Sequence, residues 1–458
     1  MVTPPSHLKH IPRVPILPLV YSYLTREVDD VRIKRLILPL RAKGEKIVLV
    51  WVLGRWMVHI LDFQVAKELC DDTTRFPKET PDDASLLWRF VGKKSLLMSN
   101  GEQWRKQSAL INDAFAARVP VDTFVVLSRR LFSIIGHEDT VQWDVMAQRF
   151  ALDAVGSTIL GHDFDAIRTQ NAFVGEYNGV MEAIADPMYL IFPRLERTLP
   201  RRGLISRIDN LVNDFMALLN AKQADPGDDM MTYMLRDPAM SFEELRDNMI
   251  VLFIGGHDTA AGSISTLFYY LARYPAVQAR ARAEVLHVLG AANDPDVETL
   301  SGKSLPYLTA CIREAMRINT AVSYIVPRKS SLPVELGGYV IPAQTSIIVD
   351  ICAIHHSDEW PSPVEFRPER FLGSKNRGLP WLPFALGPRQ CPARNFAMYE
   401  QRALAAMFLR EYEWHLPDKS PHRDNLKNSF SPFALTLPQN LSLRFRRLAS
   451  QEGLPHPD

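Results

Sequence analysis

The 458-residue chain is short of several features that would otherwise set its class. It has only four cysteines, Cys70, Cys311, Cys352 and Cys391, with no CxxC spacing and none of the density of a secreted disulfide scaffold. That excludes a zinc pattern built from cysteine pairs and points to a reducing compartment, with at most one thiol engaged in chemistry. Charge of one sign is also lacking. The formal net charge is +1, which excludes a nucleic-acid binder held by a broad basic field. No apolar run reaches the roughly eighteen residues that span a bilayer. The best stretch, Ile47 to Leu61, is broken by Gly54, Arg55 and His59, and its β-branched content reads as a hairpin. Pro12, Pro15 and Pro18 rule out the helical core of a signal peptide at the start. Residues 1–46 therefore read as a connector, of the kind that follows a membrane anchor; 47–448 read as a single domain and 449–458 as a tail. Val31 to Leu40 suits either a membrane surface or a solvated helix face. Internal repeats and low-complexity tracts are absent.

What is present is an ordinary apolar fraction of 47%, enough for a large core, and 33 prolines gathered in the first forty residues and between Pro327 and Pro392. Strand-like alternation marks residues 46–61, 333–350 and 432–446. Residues 100–320 read as successive helices, with an irregular stretch at 170–205 around Pro187, Pro193 and Pro200 that suits a mobile lid. Residues 350–392 are rich in proline and aromatics and read as one long ordered loop, unusual unless functional.

Three segments carry chemistry. Ser241 to Tyr274 reads as one long helix, opened by a Ser241–Glu244 capping box and stopped by Pro275. At 1.5 Å per residue it is about 50 Å long and must cross the core. Its centre is Gly255-Gly256-His257-Asp258-Thr259. Two glycines there weaken a helix by about 1 kcal/mol each. A kink relieved by local hydrogen bonds would explain them; so would a flat ligand approaching the face shared by Gly255 and Thr259. The second segment, Ser304 to Ile318, carries Glu314 and Arg317 at i, i+3, which alone is a surface ion pair of little value. In the third, Phe384-Ala385-Leu386-Gly387-Pro388-Arg389-Gln390-Cys391-Pro392-Ala393, Cys391 precedes a helix and follows Arg389. A helix N-terminus and a nearby cation both lower a thiol's pKa, so Cys391 is expected to be a thiolate rather than a small buried hydrophobe.

Taken together, Glu314-x-x-Arg317, Phe366-Arg367-Pro368-Glu369-Arg370-Phe371 and Phe384-x-x-Gly387-x-Arg389-x-Cys391 resemble the cytochrome P-450 family in content, order and spacing. Gly255 to Thr259 lies upstream, where that family keeps its oxygen-activating helix. The resemblance covers roughly Ile47 to Phe445, and its proline-heavy loops are similar to the microsomal and fungal branch, which implies membrane association and roles such as secondary metabolism. It implies a mostly α fold with small β-sheets and a long central helix over a buried haem b. Cys391 would be the metal ligand, Gly387 the tight turn, and Arg389 a partner of a haem propionate. Phe384, Trp104, Gly255 and Gly256 would touch the haem, with Arg328 and His355 near propionate positions. Glu314, Arg317 and Arg370 would form a buried structural network. Asp258 and Thr259 would relay protons to dioxygen.

The departures from the family pattern are specific. Four residues after Trp104 the family has an arginine for a propionate, and this chain has Ser108, with Arg105 and Lys106 off that face. Trp104 itself suits either the haem edge or ordinary packing. Thr320 replaces a proline, and Ala393 replaces a glycine. The pocket is expected from 77–100, 170–205 and Thr320 to Val326, including Trp88, Phe90, Met98, Met181, Met188, Tyr324, Ile325 and Val326. The resemblance implies a monooxygenase acting on a lipophilic small molecule with O2. With no nicotinamide or flavin motif present, electrons would come from NADPH through a cytochrome P-450 reductase. A monomer at the cytosolic face of the endoplasmic reticulum membrane, if an anchor precedes the connector, completes the expectation; the chain as given reads as soluble, with peripheral membrane contact open to it. Asp258 and Thr259 weigh against two alternatives, an isomerase, dehydratase or peroxygenase on the same fold and a haem sensor or carrier.

Overall fold

The computed structural model describes residues 3–448 apart from 81–84, 137, 170, 239, 374–377 and 432–433; the expected tail lies outside the described residues. The long helix forms over Phe242–Arg273 with both halves of the capping box in place. The Ser241 backbone N–H donates to the Glu244 carboxylate at 2.8 Å, and the Glu244 N–H donates back to Ser241 Oγ. Pro275 ends it by opening the next helix, Pro275–Leu289, at a position where a missing N–H is harmless. The helix runs buried for most of its length against Trp143–Val155, Pro306–Ile318 and Arg394–Glu411. One continuous core joins these helices, with Phe268 stacked between Trp143 and Trp414 at centroid distances of 4.2 and 4.7 Å.

The β structure is small and lies to one side. Ile47–Val52 and Arg55–Ile60 form the expected antiparallel hairpin, extended by Ser346–Val349 parallel to the second strand and then by Arg328–Lys329. All six residues of the first strand are buried because both faces are covered. Val48, Val50 and Val52 pack with Leu19, Ile33 and Ile37, while Ile47 and Leu49 pack with Leu8, Leu69 and Ile341. A second sheet pairs Glu138–Gln142, Ser442–Arg447 and Tyr412–His415, and Val334–Leu336 with Tyr339–Ile341 is a separate hairpin.

Three local expectations are corrected or narrowed. Ile16–Leu24 is an α-helix despite Pro18, which falls in the first turn where no intrahelical N–H bond is required. In Val31 to Leu40 Ile33 and Ile37 are buried against the sheet while Val31, Lys34, Arg35 and Pro39 are exposed, so one face meets protein and the other is solvated. The 170–205 stretch is built of helices, Ala172–Ile184, Pro187–Ile191 and Leu195–Thr198, the first two capped by the side chains of Asn171 and Asp186. Among the described residues of 350–392 the helical elements are Ile351–His355 and short 3-10 turns at Pro368–Phe371 and Gly387–Arg389.

Candidate active site

The centre of the long helix is where its burial fails. Gly255 is exposed although Phe253 and His257 beside it are fully buried, and a side chain built there would meet nothing within 4 Å. Gly256 has a different cause. A Cβ on it would lie 2.5 Å from Val155 Cγ2, so this glycine lets Trp143–Val155 approach, and its expected contact with a flat ligand is replaced by helix packing. Thr259 is half-buried on the Gly255 face, with its hydroxyl donating to the Gly255 carbonyl, the ordinary bond of a helical threonine. Asp258 is turned elsewhere. Its Oδ2 accepts a 2.6 Å hydrogen bond from the Tyr177 hydroxyl on Ala172–Ile184, and its Oδ1 lies 3.2 Å from His257 Nδ1. Burial, together with the Asp258 charge, raises the Tyr177 pKa far above the phenol range, and burial lowers that of His257. Tyr177 therefore keeps its proton and donates it.

The cysteine loop is fixed from both sides. Gly387 has φ +67°, and a Cβ there would sit 2.6 Å from the Cys70 carbonyl oxygen, so only glycine fits against the end of Phe63–Asp71. The Cys391 N–H donates to the Phe384 carbonyl at 2.9 Å, which closes the loop, and Phe384 itself packs on Trp381. Cys391 is the one cysteine of the four that is not fully buried. Its pKa is not lowered as expected. Burial pushes the thiol up to about 11, with the Ala393 backbone N–H and Arg394 only partly opposing. Arg389 gives no relief because its guanidinium donates to the Leu96 and Ser99 carbonyls and Asn100 Oδ1, and stacks 4.3 Å over the Trp104 ring.

Beneath the loop, Glu314 and Arg317 are completely buried. Arg317 donates to both Glu314 oxygens at 2.8 and 2.9 Å and to the carbonyls of His355 and Pro363. Arg370 Nε and the Arg367 N–H each reach Glu314 Oε1 at 3.0 Å. The pair is thus no surface decoration; it ties the helix Pro306–Ile318 to the proline-rich loop. His355 belongs to this network and not to a cation site. Its Nε2 accepts from the Leu382 N–H at 2.9 Å, and burial beside Arg317 holds it neutral.

The Cytochrome P450 family model matches residues 12–445. This chain belongs to the cytochrome P450 family. Among curated relatives, human Cytochrome P450 4F12 is 33% identical over 239 residues, half of this chain and 44% of the human protein, so the match spans less than half of that relative. Cytochrome P450 monooxygenase acrF of Aspergillus aculeatus is 26% identical over 416 residues, 80% of this chain and 83% of its own. The solved haem domain of cytochrome P450DA superposes with a TM-score of 0.83 over 97% of this chain and 99% of its own, at 22% identity, which establishes the fold.

Whether the residues of this cytochrome P450 fit a haem is tested by its interior cations. Arg328 and Arg389 are joined by Lys78, which motif reading passes over. Arg328 is buried, donates only to the Leu69 and Phe76 carbonyls, and leaves its Nε without a partner. Among the described residues no carboxylate pairs with any of the three. Burial lowers the pKa of all three, and repulsion by the neighbouring cations adds to it at Lys78 and Arg389. Arg389 falls to about 10, and Lys78 falls well below the usual lysine value. Arg328 is buried and Lys78 and Arg389 are half-buried, and such a surplus of positive charge calls for an anion. A metalloporphyrin bearing two carboxylates fits that surplus, and the free thiol of Cys391 is a suitable iron ligand. At position 108 the serine only bonds Asn112, Arg105 is exposed, and Lys106 pairs with Glu102, so the helix Gly101–Ala117 brings no arginine to this place.

Of the expected pocket residues, Trp88, Met98 and Val326 line a cavity shared with Leu53, Leu86 and Ile184. Tyr324 and Ile325 do not. Tyr324 packs edge-on to His59 and interacts with Arg32, and Ile325 joins the sheet-side cluster. Alternation along an extended segment sends adjacent residues to opposite sides, which separates Ile325 from Val326. Phe90 is likewise core, against Tyr177 and Phe215, and Met188 is exposed.

Proposed function

We propose that this cytochrome P450 is a haem-thiolate monooxygenase that inserts one atom of O2 into a neutral lipophilic small molecule, with electrons from NADPH through a separate cytochrome P450 reductase. The observation that carries the reading is a bare, exposed Gly255 beside Thr259 at the centre of a helix buried for most of its length, in a chain that also holds a free thiol and a cluster of Lys78, Arg328 and Arg389 with no carboxylate partner among the described residues. Bound haem would supply the iron that takes up and activates dioxygen. Cys391 would hold the iron, losing a proton that burial otherwise keeps on the sulfur. Arg328, Arg389 and Trp104 would steady the porphyrin edge. Thr259, whose own proton is engaged by Gly255, keeps lone pairs free to accept a hydrogen bond. Asp258, with Oδ2 held by the Tyr177 hydroxyl, would pass a proton towards it from the same carboxylate. Neighbouring residues on a helix do not face each other, so a water must bridge Asp258 and Thr259.

The cavity at Trp88, Met98 and Val326, whose lining includes none of Gly255, Thr259 and Cys391, suits an apolar substrate on its way to the site. Its charged lining is already neutralised: Arg55 makes two bonds to Glu79 at 2.8 and 2.9 Å, and Arg201 pairs with Glu196. A membrane-facing surface supports the same reading. Among the described residues no helix is long and apolar enough to cross a membrane. Leu17, Tyr21 and Leu24 nonetheless form an exposed stripe at i, i+4, i+7, on a helix that touches Pro187–Ile191, where Met188 and the following Phe192 are exposed as well. That face suits peripheral contact with the cytosolic leaflet of the endoplasmic reticulum. A library of lipids and terpenoids scored first by the haem's spin-state shift, then by product formed with NADPH and reductase, tests the function. Product requiring O2 and NADPH supports it. Turnover of peroxides without either would replace it with the isomerase or peroxygenase reading.

A further inference from the structure

Helix Gly101–Ala117 supplies no cation at position 108, yet Lys78, Arg328 and Arg389 stand together without a carboxylate partner among the described residues. We propose that Lys78 is the third cation that grips the carboxylates of the haem in this chain, taking the place of the arginine missing at Ser108. The inference rests on haem binding itself and adds the residue that secures it.

Lys78 is built into the same small framework as the two arginines. Its N–H donates to Asn100 Oδ1 at 2.8 Å, and Asn100 Nδ2 returns a bond to the Lys78 carbonyl at 3.0 Å. The same Asn100 Oδ1 accepts from Arg389 at 3.0 Å. On its other side Lys78 forms a β-bridge with Arg328, flanked by the bonds Lys329 N–H to Pro77 O and Glu79 N–H to Pro327 O. One asparagine and one bridge thus fix all three cations relative to each other.

The placement selects against an internal partner. Lys78 and Glu79 are consecutive in an extended segment and point to opposite sides. Glu79 goes to Arg55 and to Ser346 Oγ, and among the described residues the Lys78 ammonium has a single bond, from Nζ to the Val326 carbonyl at 3.3 Å. An ammonium has three donors, so most of its capacity is uncommitted. Three cations held in one neighbourhood by Asn100 and the Lys78–Arg328 bridge repel each other. An anion brought among them converts repulsion into charge-assisted hydrogen bonds, each about twice as strong as a neutral one. The side chain that replaces the missing arginine therefore comes from an extended segment that precedes the helix, which spacing alone does not reveal.

The test is the rate at which the holoprotein gives up haem to an excess of apomyoglobin, followed in the Soret band, for wild type, Lys78→Met, Lys78→Arg, Ser108→Arg and the double variant Lys78→Met/Ser108→Arg. Loss of one charge-assisted bond corresponds to about 10- to 100-fold. Lys78→Met should shed haem faster by that factor, Lys78→Arg should stay near wild type, and the double variant should recover most of the retention. A Lys78→Met protein that keeps haem as well as wild type overturns the proposal. So does a defect that neither Lys78→Arg nor Ser108→Arg repairs, which would make Lys78 a prop for the Val326 carbonyl. Wild type that fails to take up haem at all would instead overturn the cofactor reading beneath it.

Discussion

Truncating Arg317 to alanine is the sharpest test of how the proline-rich loop is held. The guanidinium donates to two Glu314 oxygens and to the carbonyls of His355 and Pro363, and it sits 5.0 Å over the Trp360 ring. Removing it leaves Glu314, wholly buried, with Arg370 and the Arg367 N–H as its remaining partners. Breaking one side of a buried pair destabilises by about 3–5 kcal/mol. Against a domain stability of about 5–15 kcal/mol, the variant should reach its denaturant midpoint at a much lower concentration and be recovered largely without haem. The conservative change Arg317→Lys should fall between alanine and wild type, because an ammonium cannot make the paired bonds of a guanidinium. Urea unfolding of the three proteins at one pH checks the order. An Arg317→Ala protein with an unchanged midpoint and full haem content would refute the reasoning.

Thr259→Ala should keep reductant consumption while releasing peroxide and losing product, with Thr259→Ser retaining much of the coupling; an unchanged ratio of product to NADPH removes the hydroxyl from the chemistry. Tyr177→Phe should lower stability by about 1–3 kcal/mol, because Asp258 loses a buried donor, and a neutral result in urea unfolding would contradict that bond. Glu400 is buried with neither oxygen partnered, and burial raises its pKa well above the ordinary 4.5. The unfolded chain then releases this proton at lower pH than the folded one, so wild type should lose stability as pH climbs above about 4.5. Glu400→Gln should flatten that slope; parallel slopes between about pH 5 and 8 would show the carboxylate to be compensated. Leu17→Glu with Leu24→Glu should weaken co-flotation with phosphatidylcholine vesicles, and equal flotation would move any membrane contact elsewhere.

What the sequence reveals follows from how local each cause is. The capping box at Ser241, the turn at Gly387 and the Glu314–Arg317 spacing are written within a few residues, and the fold class follows from them together with the cysteine loop. Causes that arise only when distant segments meet are not legible. Gly256 and Gly255 look alike in sequence, but Val155 separates their roles. His355 and Arg328 sit in similar proline-rich surroundings, yet one meets Leu382 and Arg317 and the other stands beside Lys78. The Cys391 thiol shows how burial opposes a local cue. A helix N-terminus and a nearby arginine suggest a thiolate, but burial dominates and Arg389 is spent on backbone carbonyls. Tyr177 carries no motif at all; a lone tyrosine facing an apolar helix becomes visible only through its bond to Asp258.

The central claim is that Cys391 alone among the four cysteines binds the haem iron, and the spectrum of the reduced, carbonyl-bound protein tests it most directly. Cys70, Cys311 and Cys352 are buried, and burial raises the pKa of each. Wild type and Cys311→Ser should show the strongly red-shifted Soret band of thiolate ligation, and Cys391→Ser should lose it while keeping its fold by circular dichroism. A red-shifted band that survives in Cys391→Ser, or one that disappears in a folded Cys311→Ser protein, would contradict the account.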